Sequence, residues 1–298
     1  MRPRVSVGMP VYNGERFLAA AIESILSQTF TDFELILSDN ASTDSTEHIC
    51  RRYAAADKRV RYFRNHANLG AARNFNRVYR AASGEYFKWA AHDDLCLADY
   101  LSRCVEVLDH DPSVVLCHPR VKTIDENGNV MRIRTAALNG HANQPHMRFR
   151  DLVVIQHGCY AVFGLIRSAA LSNTRLIGSY LSSDRVLLAE LSLQGRFVEI
   201  PQCLFVRREH PGVSMRVNKN YGQRAAWFDP RLEGRILLPA WRLCFEYVRA
   251  LGRVSVSPVT KLLCYGHILH WIRSRRKVLA RQLSYAARKI ARKELLAR

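Results

Sequence analysis

A chain of 298 residues, 48% of them apolar and with a formal net charge of +19, can bury a sizeable core and hold one or two domains. It contains no run of about 18 or more apolar residues free of charge, which argues against a membrane span. The charge is uneven: residues 231–298 carry 16 Lys and Arg against three acids, a net of +13, which leaves +6 for residues 1–230.

Val5 to Met9 reads as a β-branched strand stopped by Pro10. Apolar positions 17, 18, 21, 22, 25 and 26 then mark one face of a helix over Phe17–Leu26. Leu35 to Leu37 forms a second strand. Ser42, Thr43 and Asp44 offer caps for a helix to about Ala55, with Glu47 as capping-box partner. Val60–Phe63, Tyr86–Ala91 and Val114–Cys117 read as further strands, separated by helices over Asn74–Ala82 and Leu97–Leu108. Strands alternating with helices of this length predict βαβ crossovers and a mostly parallel sheet, an α/β fold.

Beyond Cys117 the rhythm breaks. Asp125 to Asn129 predicts a hairpin turn, Asn139 to Pro145 a polar loop with room to move, and Gly158 to Ile166 a buried strand. Ser183 to Leu193 predicts a helix, followed by two strands at Phe197–Ile200 and Leu204–Val206. From about Arg231 the pattern is helical and basic, interrupted at Ser255–Pro258. Apolar positions 272, 279, 283, 286 and 290 form a stripe between basic residues, the pattern of a membrane-surface helix or of a helix packed on the core with a solvated basic face. No nucleic-acid motif accompanies the charge, so nucleic acid is not the expected partner. The eight cysteines form no C-x-x-C pair, which fits buried thiols in a reducing setting. Met1 to Arg4 leads directly into a strand, so no signal peptide is expected and the expected location is cytoplasmic.

Two apolar runs end in acid: Phe33–Ser38 at Asp39, and Tyr86–Ala91 at His92-Asp93-Asp94. Ligands of open α/β sheets bind at the carboxyl ends of strands, where carboxylates can hold a nucleotide's polar groups or a hard divalent cation. The first turn, Pro10-Val11-Tyr12-Asn13-Gly14-Glu15, lacks G-x-G-x-x-G, and the chain has no P-loop. Tyr12 either stacks on a base or packs at the sheet edge. Asp39 could accept from a base N–H. Asp93 and Asp94 either bind metal or cap the helix that follows.

Val5-Ser6-Val7-Gly8-Met9-Pro10-Val11-Tyr12-Asn13, Ser27-Gln28-Thr29, Glu34 to Asp44, Asn68-Leu69-Gly70-Ala71-Ala72-Arg73-Asn74 and Ala82-Ser83-Gly84-Glu85-Tyr86, in this order, resemble family 2 glycosyltransferases. The resemblance is strong over residues 4–110 and fades by about 215. It implies a GT-A fold over residues 1–230, with a nucleotide-binding part at 1–118, an acceptor-side part at 119–230, and a basic helical extension at 231–298. It further implies a nucleotide-sugar donor, UDP-sugar first, and a divalent cation, Mg²⁺ or Mn²⁺. Transfer would go to a glycan or lipid-linked acceptor, with inversion, in cell-envelope or surface glycan synthesis, at the inner face of the membrane.

By the same resemblance Pro10, Val11, Tyr12, Asn13, Asp39, Arg73, His92 and Asp93 would contact the nucleotide. Asp93, Asp94 and His210 would serve the metal, with Asp93 the first choice. Asp184 would be the base, standing where the family usually has an acidic pair, while Glu190, deeper in the same helix, reads as structural. Arg207 and Arg208 could neutralise phosphate charge. The chain departs from the family at Ala91-His92, where Asp-x usually precedes the Asp pair. Two alternatives remain. A sugar-phosphate nucleotidyltransferase would want a Gly-rich loop after the first strand, which is missing. A scaffold bound to membrane or nucleic acid would carry a degenerate site.

Overall fold

The computed structural model of the chain describes residues 2–134, 140 and 142–296. Part of the polar loop expected at 139–145 therefore lies outside the described residues. The N-terminal half runs β1 (Val5–Val11), α1 (Glu15–Leu26), β2 (Phe33–Asp39), α2 (Thr46–Ala56), β3 (Val60–Arg64), α3 (Ala71–Arg80), β4 (Tyr86–Trp89), β5 (Leu95–Cys96), α4 (Tyr100–His110) and β6 (Val114–Ile124). Then follow β7 (Val130–Arg134), α5 (Pro145–Val154), β8 (Leu165–Arg167), α6 (Ser168–Ser172), α7 (Ser183–Gln194) and β9 (Arg196–Arg208). The chain closes with α8 (Ser214–Val217), α9 (Tyr221–Phe228), α10 (Pro239–Arg253) and α11 (Pro258–Leu296).

One sheet organises the chain in the order β3-β2-β1-β4-β8-β6-β9-β5, with β7 beside β6. The first four strands are mutually parallel, as is the long β6/β9 pair, and β8 joins the two groups in antiparallel fashion. Side chains alternate between two cores, one on each face. Val5, Val7 and Met9 of β1 and Leu35 and Leu37 of β2 meet α1, α2 and α4 on one side. Ile36, Phe87 and Trp89 meet α3, α5 and α7 on the other. Burial on both faces is what a parallel sheet between helix layers requires. Tyr247, Leu251, Ile268 and Trp271 of α10 and α11 join the second core, so that α10 packs against α7 and α11 against α5 and α10.

Several expectations are corrected. Pro10 does not stop β1: the strand runs on to Val11, paired with Asp39. The helix expected from Leu97 starts at Tyr100, because Leu95 and Cys96 pair with Val206 and Phe205. Glu47 forms no capping box; it pairs with Arg51 and Arg64, while Asp44 accepts the Thr46 N–H. The strand expected over 158–166 is a 3₁₀ turn at Tyr160–Phe163 followed by the short β8. The two strands expected near 197–206 are one strand, β9, whose register against β6 slips between Pro119 and Val121. The apolar stripe of α11 is split: Leu279 and Ala286 are buried, but Leu283 and Ile290 are exposed. The hairpin at 125–129 forms, joining β6 to β7. Trp89 is core, its Nε1–H donated to the Phe75 carbonyl.

Candidate active site

At the carboxyl ends of β1 and β2 the chain makes two tight turns that interlock. Asn13 (φ +49°) and Ala41 (φ +60°) both adopt left-handed backbone conformations. The Asn13 N–H donates to Ser42 Oγ, and its side-chain Oδ1 accepts the Thr43 N–H. Tyr12 stands exposed above this turn, whereas Pro10 and Val11 are buried at the strand end. Asp39 is fully buried. Its Oδ1 accepts the Ser42 N–H at 2.8 Å, and its Oδ2 accepts from Arg64 Nη1 at 2.6 Å and from the Tyr62 hydroxyl at 3.1 Å. Arg64 also reaches Glu47 and the Ser42 carbonyl, so it clamps the whole turn. Beneath it lies a web of amides: Asn40 to Asn68, Asn65 to Asn40 and Asn74, and Asn74 to the Ser38 carbonyl. Arg73, one residue from this web, is exposed and forms no ion pair among the described residues.

After β4, His92 packs its ring against Gly14, where a Cβ would fall 2.7 Å from the imidazole. Asp93 Oδ2 lies 3.1 Å from His210 Nε2. Phe17 of α1 fixes that imidazole from the other side, ring centroids 4.7 Å apart, and Arg208 also lies over the Phe17 ring. Asp94 points inward: its Oδ1 accepts the Arg208 N–H at 2.8 Å, and it lines a small buried gap with Lys88. Burial and the neighbouring Asp93 push the Asp94 carboxyl up to about 8, while His210, acting against burial, holds Asp93 below the usual carboxylate range. Neither acid caps α4, whose cap position is Asp99.

Among the described residues no cluster of three or more His, Cys, Asp or Glu is assembled for a metal. Asp93 and His210 still present an oxygen and a nitrogen donor side by side. That set fits Mg²⁺ or Mn²⁺, which is commonly bound by one or two protein groups together with substrate phosphates.

Asp184 opens α7, half-buried, and burial raises its pKa. The Cys159 thiol donates to it. Ser182 (φ +62°) and Cys159 (φ +54°) are again left-handed, so strained backbone occurs beside this acid as it does beside Tyr12. His157 holds the Cys159 turn: its Nδ1 accepts the Cys159 N–H, and its Nε2–H donates to the Leu152 carbonyl. Ser183 Oγ and Tyr247 Oη, both fully buried near Asp184, have no hydrogen-bond partner among the described residues, and such groups call for a reason.

Two adjoining segments link the acids. Tyr160, next to Cys159, accepts from Arg207 Nη1, and Arg208 and His210 hold Asp94 and Asp93. Glu209 gathers Arg132, Arg207 and Arg216. Glu190 lies deeper and pairs with Arg253. Sequence reading had not singled out Arg64, Lys88, His157 or the amide web. The crowding of Asn65, Asn68 and Asn74 around a glycine was the visible signal for the last of these.

The sequence model of glycosyl transferase family 2 matches residues 6–172. An uncharacterized glycosyltransferase of Methanocaldococcus jannaschii is 35% identical over 133 residues, 44% of this chain and 46% of that protein. Chondroitin synthase of Escherichia coli is 31% identical over 129 residues, 43% of this chain and 19% of that protein. The chain thus spans less than half the length of these curated relatives. TarS of S. aureus, solved with UDP-GlcNAc, superposes with a TM-score of 0.65 at 17% identity, covering 92% of this chain and 73% of TarS. The mannosyltransferase PcManGT of Pyrobaculum calidifontis, solved with GDP-Man and Mn²⁺, superposes at 0.55 and 18% identity, covering all of this chain and 81% of the other. At these identities the superpositions speak to the fold, which is GT-A.

Proposed function

The chain belongs to glycosyl transferase family 2, and from that premise we propose that it moves a sugar from a nucleotide-diphosphate donor to an acceptor hydroxyl with inversion, in surface or envelope glycan synthesis. The observation that carries the reading is the linkage of Asp184 to the Asp93–His210 pair through the adjoining segments 157–160 and 207–210.

In this reading Tyr12 offers its exposed ring to the base of the nucleotide, and the Asn13–Ser42 turn shapes the pocket beside it. Asp39, whose oxygens are already engaged by Arg64, Tyr62 and Ser42, acts on the nucleotide site by setting that turn. Arg73 lies near the diphosphate, and His92 compensates for the ribose acid that the family usually has at the position of Ala91. Asp93 and His210 would hold Mg²⁺ or Mn²⁺, with Asp94 behind them fastening the loop to β9; the ion would offset charge on the departing diphosphate as a Lewis acid. Asp184 takes the proton of the acceptor hydroxyl as its oxygen bonds to the anomeric carbon. The bond from that carbon to the diphosphate oxygen breaks on the opposite face, and the nucleoside diphosphate leaves with the electron pair.

UDP-sugars are the first donors to test, since UDP-GlcNAc is bound in the TarS structure, with GDP-mannose second. A nucleotide-sugar panel scored by thermal shift with and without Mn²⁺ tests the reading. A Mn²⁺-dependent stabilisation by one donor supports it, and no response to any donor overturns it in favour of a degenerate scaffold.

Among the described residues no helix is long and apolar enough to cross a membrane. Exposed Val259, Leu262 and Leu269 beside basic residues on α11 support a peripheral seat on an anionic membrane. Cosedimentation with phosphatidylglycerol vesicles, lost in 0.5 M salt where the screening length falls to about 4 Å, checks this; indifference to vesicle charge contradicts it.

A further inference from the structure

The run Tyr86-Phe87-Lys88-Trp89-Ala90 puts a lysine in the middle of an otherwise apolar strand. Alternation along β4 sends Phe87 and Trp89 to the second core and Tyr86 to the first. Lys88 lies on the side of Tyr86, fully buried, beside Met9, Ile25 and Cys96. A lysine is almost never fully buried unless it is paired. Both hydrogen bonds of Lys88 Nζ go to backbone carbonyls, that of Trp89 at 3.1 Å and that of Phe163 at 2.7 Å. The Nζ also lies 4.3 Å from the centre of the Tyr100 ring. Across the small buried gap stands Asp94, whose ionised form the lysine charge favours. The transfer chemistry itself gives this group no task.

The bond to Phe163 crosses between two parts of the site. On one side β4 runs on into the loop of Asp93 and Asp94. On the other, Phe163 ends the 3₁₀ turn at Tyr160–Phe163, which the Val162 N–H closes on the Cys159 carbonyl at 3.0 Å. Cys159 in turn donates its thiol to Asp184. The Phe163 carbonyl takes a second hydrogen bond, from Tyr100 Oη at 2.7 Å. Asp93 and Asp94 have anchors of their own in His210 and the Arg208 N–H, so loss of the lysine releases the turn rather than the metal pair. A hydrogen bond from a charged donor is roughly twice as strong as a neutral one. We infer that Lys88 is a positioning residue: it holds the Cys159–Phe163 turn, and through it Asp184, in place relative to the loop that carries Asp93. The inference rests on the reading of Asp184 as the base.

Lys88→Met keeps the length of the side chain and removes its donors and charge, and Tyr100→Phe removes only the second donor to Phe163. Amide hydrogen exchange of the full chain, read by mass spectrometry, is expected to quicken in Lys88→Met by about tenfold or more over 157–164 and 181–187, the loss of one charge-assisted hydrogen bond. A smaller change of the same sign is expected in Tyr100→Phe, and none over 33–44 in either. Calorimetry with UDP in Mn²⁺, or with GDP where UDP does not bind, should give the wild-type affinity. With the donor that the nucleotide-sugar panel selects, kcat should fall by about tenfold or more while the donor KM holds. Unchanged exchange over 157–164 overturns the inference. So does a loss of nucleotide binding that matches the loss of turnover, because Lys88 then serves the metal loop. If Lys88→Met does not fold, Tyr100→Phe decides, and wild-type exchange and kcat there overturn the inference. Asp184→Asn separates the two readings. If it keeps turnover while Lys88→Met frees the turn, the base assignment fails and the hold on the turn stands. If it loses turnover while Lys88→Met behaves as wild type, the base stands and Lys88 does not position it. Where both lose turnover, the double variant should be little worse than Asp184→Asn alone, and losses that multiply in full overturn the inference.

Discussion

His210 Nε2 lies 3.1 Å from Asp93 Oδ2, although 117 positions separate the two residues in the chain. The pair exists because β9 returns alongside β6 and delivers its last residues to the loop after β4. It joins the acidic motif to the late Arg–His segment in one small site.

Asp93→Ala is expected to abolish transfer. His210→Ala is expected to leave the fold intact but raise the Mn²⁺ concentration for half-maximal turnover by about 10–100-fold. Steady-state assays across a Mn²⁺ series check both, and an unchanged Mn²⁺ requirement in His210→Ala removes His210 from the metal.

Asp184→Asn is expected to lower transfer by about 10² to 10⁴, the range for loss of a positioned base, while donor binding persists. Because burial raises the Asp184 pKa, the acid limb of kcat/KM should fall above the ordinary carboxylate value of about 3.9. Wild-type-like turnover in Asp184→Asn would sink the base assignment.

His157 is held down to about 4 by burial and by Arg185. Its Nδ1 already accepts the Cys159 N–H, so a second ring proton would break that contact. In the unfolded chain the same group titrates near about 6.5. Above that pH both states are neutral and the contribution to stability is complete. As pH falls from about 6.5 towards 4, the unfolded chain takes a proton that the folded one refuses, and stability is lost. Melting curves between pH 7 and 4.5 should therefore drop more steeply for wild type than for His157→Gln, and parallel curves would refute the account.

Gly70 has φ +82°, and a Cβ there would lie 2.5 Å from the Phe228 carbonyl oxygen. Gly128 has φ +94° with open space around it. Gly70→Ala should cost more than the roughly 1–3 kcal/mol of backbone strain alone, and Gly128→Ala only that strain. Urea denaturation of the two variants reads the difference, and equal losses would mean that the α9 contact yields.

The alternation of strands and helices through Val114 was legible because β1, β2 and β4 are buried along their whole length and α1 and α4 each show one apolar stripe. Strand ends were less so. Pro10 stays in β1 because its missing N–H falls where the ladder does not need it. The segment 158–166 is apolar enough for a strand, but Cys159 turns left-handed to meet Asp184, and local pattern carries no trace of that contact. The pairing of Asp93 with His210, the clamp of Arg64 on Asp39 and the bond from Lys88 to the Phe163 carbonyl all depend on chain segments far apart in sequence, and periodicity is silent on these.

The helices α10 and α11 share one apolar core with α7. The turn that carries Tyr12 and the helices packed behind Asp184 therefore come from opposite ends of the chain. A change in how α10 packs is felt at α7, which Asp184 opens, without touching the Tyr12 turn.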